Sequence, residues 1–103
     1  MNTAQAILFS TLIFTVFSDI CAQLQCDIPG LCTQNALTFE PKSDKVACWS
    51  WCTSTKDCNW FSYETTGIQR CRLFETCPKI DEENYPQYIS GHKDCQYIYC
   101  MLF

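Results

Sequence analysis

The sequence predicts a small α+β domain held together by disulfides, with one helix packed on a small antiparallel sheet. Three observations carry this. Ten of the 103 residues are cysteine, the level at which a short chain reads as a disulfide scaffold. One compact segment has helix signals, and two strand-forming runs follow it around a glycine-containing turn. Seven Phe, five Tyr and three Trp supply large side chains to bury, which argues against disorder. The length allows one domain.

Residues 1–22 read as a signal peptide. Ala6 to Phe17 is apolar apart from Ser10, Thr11 and Thr15. That run is shorter than the roughly 20 residues a bilayer-spanning helix needs and suits a signal core. Secretion places the cysteines in an oxidising compartment, where disulfides persist. A cut after Ala22, with its polar lead-in, is preferred and leaves an odd number of cysteines. A cut after Ser18 keeps Cys21 and an even number.

Residues 23–103 then form the single domain, with a core over 26–95 and a short apolar tail over 96–103. Cys26-Asp27-Ile28-Pro29-Gly30-Leu31-Cys32 reads as a looped staple around a Pro-Gly turn. Ser43 to Cys52 reads as a helix, capped by Ser43 or Asp44. Cys48 and Cys52, four apart, share a helix face and each reaches outward to the sheet. Asn59 to Glu64 is rich in strand formers, Thr65-Thr66-Gly67 breaks it, and Cys71 to Glu75 is a second strand. By alternation Phe61 and Tyr63 share one face and Trp60, Ser62 and Glu64 the other, while Cys71 and Leu73 share a face. Tyr88 to Gly91 is a further strand. Gln96 to Tyr99 is an apolar edge or tail. Ten cysteines admit roughly 945 pairings, and spacing does not choose among them.

Cys48-x3-Cys52-x5-Cys58-Asn59-Trp60-Phe61-Ser62-Tyr63, Cys71-Arg72-Leu73-Phe74 and Ile89-Ser90-Gly91-x3-Cys95 resemble the PAN/Apple family, in its small secreted invertebrate form. The resemblance runs from about Cys26 to Cys95. It implies a twisted antiparallel sheet cradling one helix, and a domain that binds proteins or carbohydrates without catalysis. It also implies a pairing: Cys48–Cys71, Cys52–Cys58 and an outer Cys26–Cys95 bridge. Cys32 and Cys77 remain as an extra bridge. Cys100 lies beyond the pattern. It reads as an unpaired or intermolecular cysteine linking a homodimer, or, if Cys21 survives, as the partner of Cys21.

The function classes excluded follow from charge and motif. A net charge of −4, with no cluster of basic residues, is a poor match to nucleic acid or anionic membrane. Nucleotide and zinc-protease motifs are absent from the sequence. His92 is the sole histidine and there are no CxxC pairs, so neither a metal nor another cofactor is expected. Cys100 with His92 is the one conceivable thiol–base pair. Asp81-Glu82-Glu83 lacks the alternating oxygen ligands of an EF-hand and reads as a solvated loop.

Trp51 is expected in the core. Trp60 reads either as a packing residue or as a ligand contact. Arg70 and Arg72 are expected to pair across the hairpin with Glu64 and Glu75. The reading is a secreted extracellular module for a protein or a glycan. Its rival is a protease inhibitor or toxin-like effector acting through Pro78 to Pro86 on the same scaffold.

Overall fold

A computed structural model describes residues 25–97. The signal segment, Cys21 and Cys100 lie outside the described residues, as does most of the expected tail. The chain forms β1 (Ile28–Pro29), β2 (Leu31–Cys32), β3 (Thr38–Pro41), α1 (Lys45–Ser54), β4 (Trp60–Glu64), β5 (Arg70–Phe74), β6 (Ile80–Asp81) and β7 (Tyr88–His92). Five strands make one antiparallel sheet in the order β1-β7-β4-β5-β3, and β2 pairs with β6 in a second, two-stranded sheet. Helix, antiparallel sheet and disulfides together are the α+β class the sequence predicts.

Helix α1 starts directly after Asp44, whose own backbone is extended. Its carboxylate accepts from Ala47 N–H at 2.8 Å, satisfying one of the free donors of the first turn. The Cys48 and Cys52 face of the helix packs on β4 and β5. There Phe61, Leu73 and Cys71 are buried completely, joined by Tyr63 and Cys95. Register explains the set: Phe61 lies beside Leu73 and Gly91, and Tyr63 beside Cys71 and Ile89. Alternation sends all of these to the helix side.

The opposite face is also covered. Leu31, Cys32, Phe74 and Tyr88 form a second buried cluster, flanked by Trp60, Cys77 and Ile80. Gly30 makes the approach of the small sheet possible. Its φ is +114°, and an added Cβ would lie 2.7 Å from Asp81 C and Glu82 N, so only glycine fits.

Bonds join Cys26 to Cys95, Cys32 to Cys77, Cys48 to Cys71 and Cys52 to Cys58, with Cα–Cα distances of 5.3–5.5 Å. Cys26–Cys95, Cys48–Cys71 and Cys52–Cys58 are the pairs the resemblance implies, and Cys32–Cys77 is the pair left over. One bridge fixes helix to sheet, one fixes the helix end to the chain before β4, and two tie the outer segments.

Tyr97 departs from the expected tail. It is 5% exposed, its ring meets Trp49 edge-on at 6.0 Å, and its hydroxyl donates to Asp27 Oδ1 at 2.7 Å. Lys45 closes this corner by pairing with Asp27 Oδ2 at 2.8 Å. The expectation failed because an apolar run near a chain end gives no sign of what will cover it. Trp51 is only partly buried, packed on the core's margin with Lys42 Nζ 4.6 Å from its ring centroid. Phe61 and Leu73 occupy the centre that Trp51 was expected to fill.

Candidate functional site

The candidate site lies on the sheet face turned away from the helix, toward the β3 edge. Cys71 and Leu73 point to the helix, so Arg70 and Arg72 must point the other way. Phe39 of β3 is the register partner of Arg72. The β2–β6 sheet does not cover this corner, and Phe39 is 56% exposed. The Arg72 guanidinium carbon is 5.3 Å from the Phe39 ring centroid and that of Arg70 is 5.5 Å. Both lie within cation–π range, a contact worth about 0.5–1 kcal/mol at an exposed position.

The expected ion pairs do not form. Among the described residues neither arginine has a carboxylate oxygen within 4 Å; the lysine pairs present are Lys42–Glu40 and Lys45–Asp27. Glu64 instead accepts the backbone N–H of Arg70 at 3.4 Å. Stacking on Phe39 holds the guanidiniums where a cross-strand carboxylate was expected to hold them. The arrangement leaves two positive groups with their hydrogen-bonding edges uncommitted to an acid, beside an exposed ring. It suits recognition of a group carrying both negative charge and apolar surface.

The β3 edge itself is a poor template for another strand. Lys42 N–H donates inward to Gln69 at 3.1 Å. In an antiparallel ladder inward and outward residues alternate, so Phe39 and Pro41 face outward. Proline has no N–H to offer, and Phe39 is left as the outward donor within β3. The site therefore works through side chains.

A pocket of about 310 Å³ lies beside Arg72, between β2, β5 and β6, and includes Phe74 and Tyr85 in its wall. Behind it, the row continues inward through Ser62 and Ser90. Both serines are fully buried. Ser90 donates to Gly30 O at 2.7 Å, Ser62 and Ser90 lie 2.6 Å apart, and Cys32 N–H donates to Ser62 Oγ at 3.1 Å. Ser90 has spent its one proton on Gly30, so Ser62 must be the donor between them. The two hydroxyls are fully engaged in holding the small sheet to the large one and have no proton or lone pair aimed at solvent.

Trp60, the sequence's candidate contact, is half-buried on the second cluster with its ring edge-on to His92 at 5.1 Å. It does not join the Phe39–Arg70–Arg72 group. His92 Nδ1 accepts from Asp94 N–H at 3.1 Å, and Cys100, the one thiol conceivable as its partner, lies outside the described residues. Among the described residues no three His, Cys, Asp or Glu gather to hold a metal ion, and no helix is long and apolar enough to cross a membrane.

Asp81 sits in β6 rather than in a free acidic loop. Asn84 donates to it from its backbone at 3.1 Å and its side chain at 2.9 Å. These hydrogen bonds hold its carboxyl below the usual range, the side-chain bond contributing most.

Phe39 was not singled out from sequence. The available signal was an apolar side chain in Thr38-Phe39-Glu40-Pro41, just ahead of a proline. Its value depends on Arg70 and Arg72 more than thirty positions later, and that pairing exists only once β3 joins β5. Comparisons with protein-family models, curated proteins and solved structures found nothing that matches this chain.

Proposed function

We propose that this chain is a secreted extracellular binding module of the PAN/Apple type, which recognises a protein or a glycan and performs no catalysis. The observation that carries the reading is the Phe39–Arg70–Arg72 group: an exposed ring beside two guanidiniums without acidic partners. Aromatic and arginine side chains are the residues that dominate recognition surfaces. A frame with four disulfides in 73 described residues supports an oxidising environment. A helix on the face of a five-stranded antiparallel sheet is in keeping with the resemblance. The apolar leader of residues 1–22 supports export.

The rival loop is tied down. Ile80 and Asp81 pair with β2, and Asn84 closes on Asp81. An inhibitory loop works by presenting extended backbone to a protease, and the extended part of this one, Ile80–Asp81, is spent on its own sheet. Two screens separate the readings. The full chain, expressed in a secreting host, is tested on an array of glycans and extracellular proteins and in a panel of protease assays. Saturable array binding without protease inhibition supports the module. Inhibition that depends on Pro78 to Pro86 supports the effector.

A further inference from the structure

The pocket beside Arg72 has a composition that points to a ligand class. Its wall combines one cation, Arg72, one carboxylate, Asp81, the polar side chains of Thr33 and Gln34, and the rings of Phe74 and Tyr85. Its volume of about 310 Å³ is at the low end for small-molecule sites and gives room for one sugar-sized group. Arg72 is unpaired within it. Among the described residues its Nε is the buried side-chain nitrogen left without a hydrogen-bond partner, and no carboxylate lies within 4 Å of its guanidinium. A buried donor left unsatisfied is costly and uncommon.

We infer that this pocket binds the carboxylate-bearing ring of an acidic sugar. The inference rests on the binding-module reading and names its ligand. The carboxylate takes the guanidinium in a two-pronged contact through its Nη atoms, the buried Nε lying out of a ligand's reach. Asp81, Gln34 and Thr33 receive or supply hydrogen bonds to ring hydroxyls. The Asp81 oxygens each hold one bond from Asn84 and keep further lone pairs for a donor. Tyr85, exposed on one side and edge-on to Tyr88 at 6.2 Å, offers a ring to the apolar face of the sugar. A multiply charged group such as sulfate or an acidic peptide is disfavoured, because Asp81 in the same wall repels each negative charge beyond the one that Arg72 holds. Uncharged hexoses leave Arg72 unsatisfied.

The test is a nuclear magnetic resonance titration of the oxidised full chain with four probes: sodium D-glucuronate, D-glucose, sodium sulfate and a tetraglutamate peptide. Glucuronate is expected to shift the Arg72 Nε–H, the Gln34 side-chain amide and the Tyr85 ring, with binding at least about tenfold tighter than glucose, the worth of one charge-assisted hydrogen bond pair. In Arg72→Lys, which keeps the charge and loses the fork, that preference falls to within about threefold. Equal response to glucose, tighter binding of sulfate or tetraglutamate, or no shift at these residues overturns the inference. The wild-type comparisons stand whether or not a variant folds. Array binding that survives in Arg72→Lys sinks this assignment and leaves the module reading intact; loss of all array binding in the wild type sinks the module reading itself.

Discussion

Replacing Ser62 and Ser90 with alanine, singly and together, measures how the second sheet is fastened to the first. Each hydroxyl is fully buried, so no water takes over its bonds without entering the core. Ser62→Ala leaves the Cys32 N–H without its acceptor, and one stranded buried donor costs about 1–3 kcal/mol. Ser90→Ala strands two groups, the Ser62 hydroxyl and the Gly30 carbonyl, and costs more. The double variant strands only Cys32 N–H and Gly30 C=O, because the Ser62 hydroxyl is gone. The double therefore costs less than the sum of the singles by about 1–2 kcal/mol, the share of the Ser62 hydroxyl counted once too often. For a domain of this size 1 kcal/mol moves the thermal midpoint by about 4–8 °C. Calorimetry under non-reducing conditions reads all four corners of the cycle. Additivity within about 0.3 kcal/mol, or singles costing less than about 0.5 kcal/mol, refutes the directed chain from Cys32 to Gly30.

Gly30→Ala forces a side chain into the backbone of Asp81 and Glu82 at a φ of +114°, and it is expected to cost at least about 3 kcal/mol, seen as a fall in denaturation midpoint. Removing the Cys48–Cys71 bridge as a double alanine variant is expected to cost about 3.5 kcal/mol, against about 2.4 for Cys52–Cys58, because the first spans 23 positions and the second 6; urea unfolding ranks the two, and the reverse order contradicts the loop-closure account. Burial first, and then the Asp27 hydrogen bond, raise the Tyr97 hydroxyl above its ordinary value near 10. The folded state thus favours the protonated form, so this contribution is complete below about pH 10 and is lost as pH rises above it. Tyr97→Phe is expected to flatten the alkaline fall in thermal midpoint. The flattening is partial, because Tyr63 is raised in the same direction, by its own burial and then by the Asp44 charge.

The parts of the fold legible in the sequence are those written in local patterns. The helix is marked by a cap at Ser43 or Asp44 and the Cys48–Cys52 spacing, and β4, β5 and β7 by runs of strand formers. Alternation alone put Phe61 with Tyr63 and Cys71 with Leu73, and the β4–β5 register brings the two pairs to one face. The short strands β1, β2, β3 and β6 left no such trace. Two residues, or the four of β3, carry too little period to read, and each of these strands exists because a distant segment supplies its hydrogen bonds. The same holds for the site. Arg70 and Arg72 were visible as cations opposite acids, and charge arithmetic paired them with Glu64 and Glu75. The structure pairs them with Phe39, because β3 docks beside β5 and brings an aromatic ring within cation–π range of both guanidiniums, while neither carboxylate comes within 4 Å of them. Trp60 was conspicuous as a large side chain on the right face. It packs against Phe74, its register partner, and His92 instead.

The central claim is that the Phe39 corner of the sheet is the recognition surface. Its most direct test compares Phe39→Ala with Ile68→Ser on the ligands the wild-type array identifies. Both side chains are exposed, Phe39 at 56% and Ile68 at 62%, so neither change is expected to unfold the domain. Ile68 lies at the hairpin end, outside the arginine pair. Phe39→Ala is predicted to weaken binding by about tenfold or more, the threshold of a residue that matters at an interface, while Ile68→Ser leaves it unchanged. Undiminished binding in Phe39→Ala, or loss in Ile68→Ser alone, contradicts the claim.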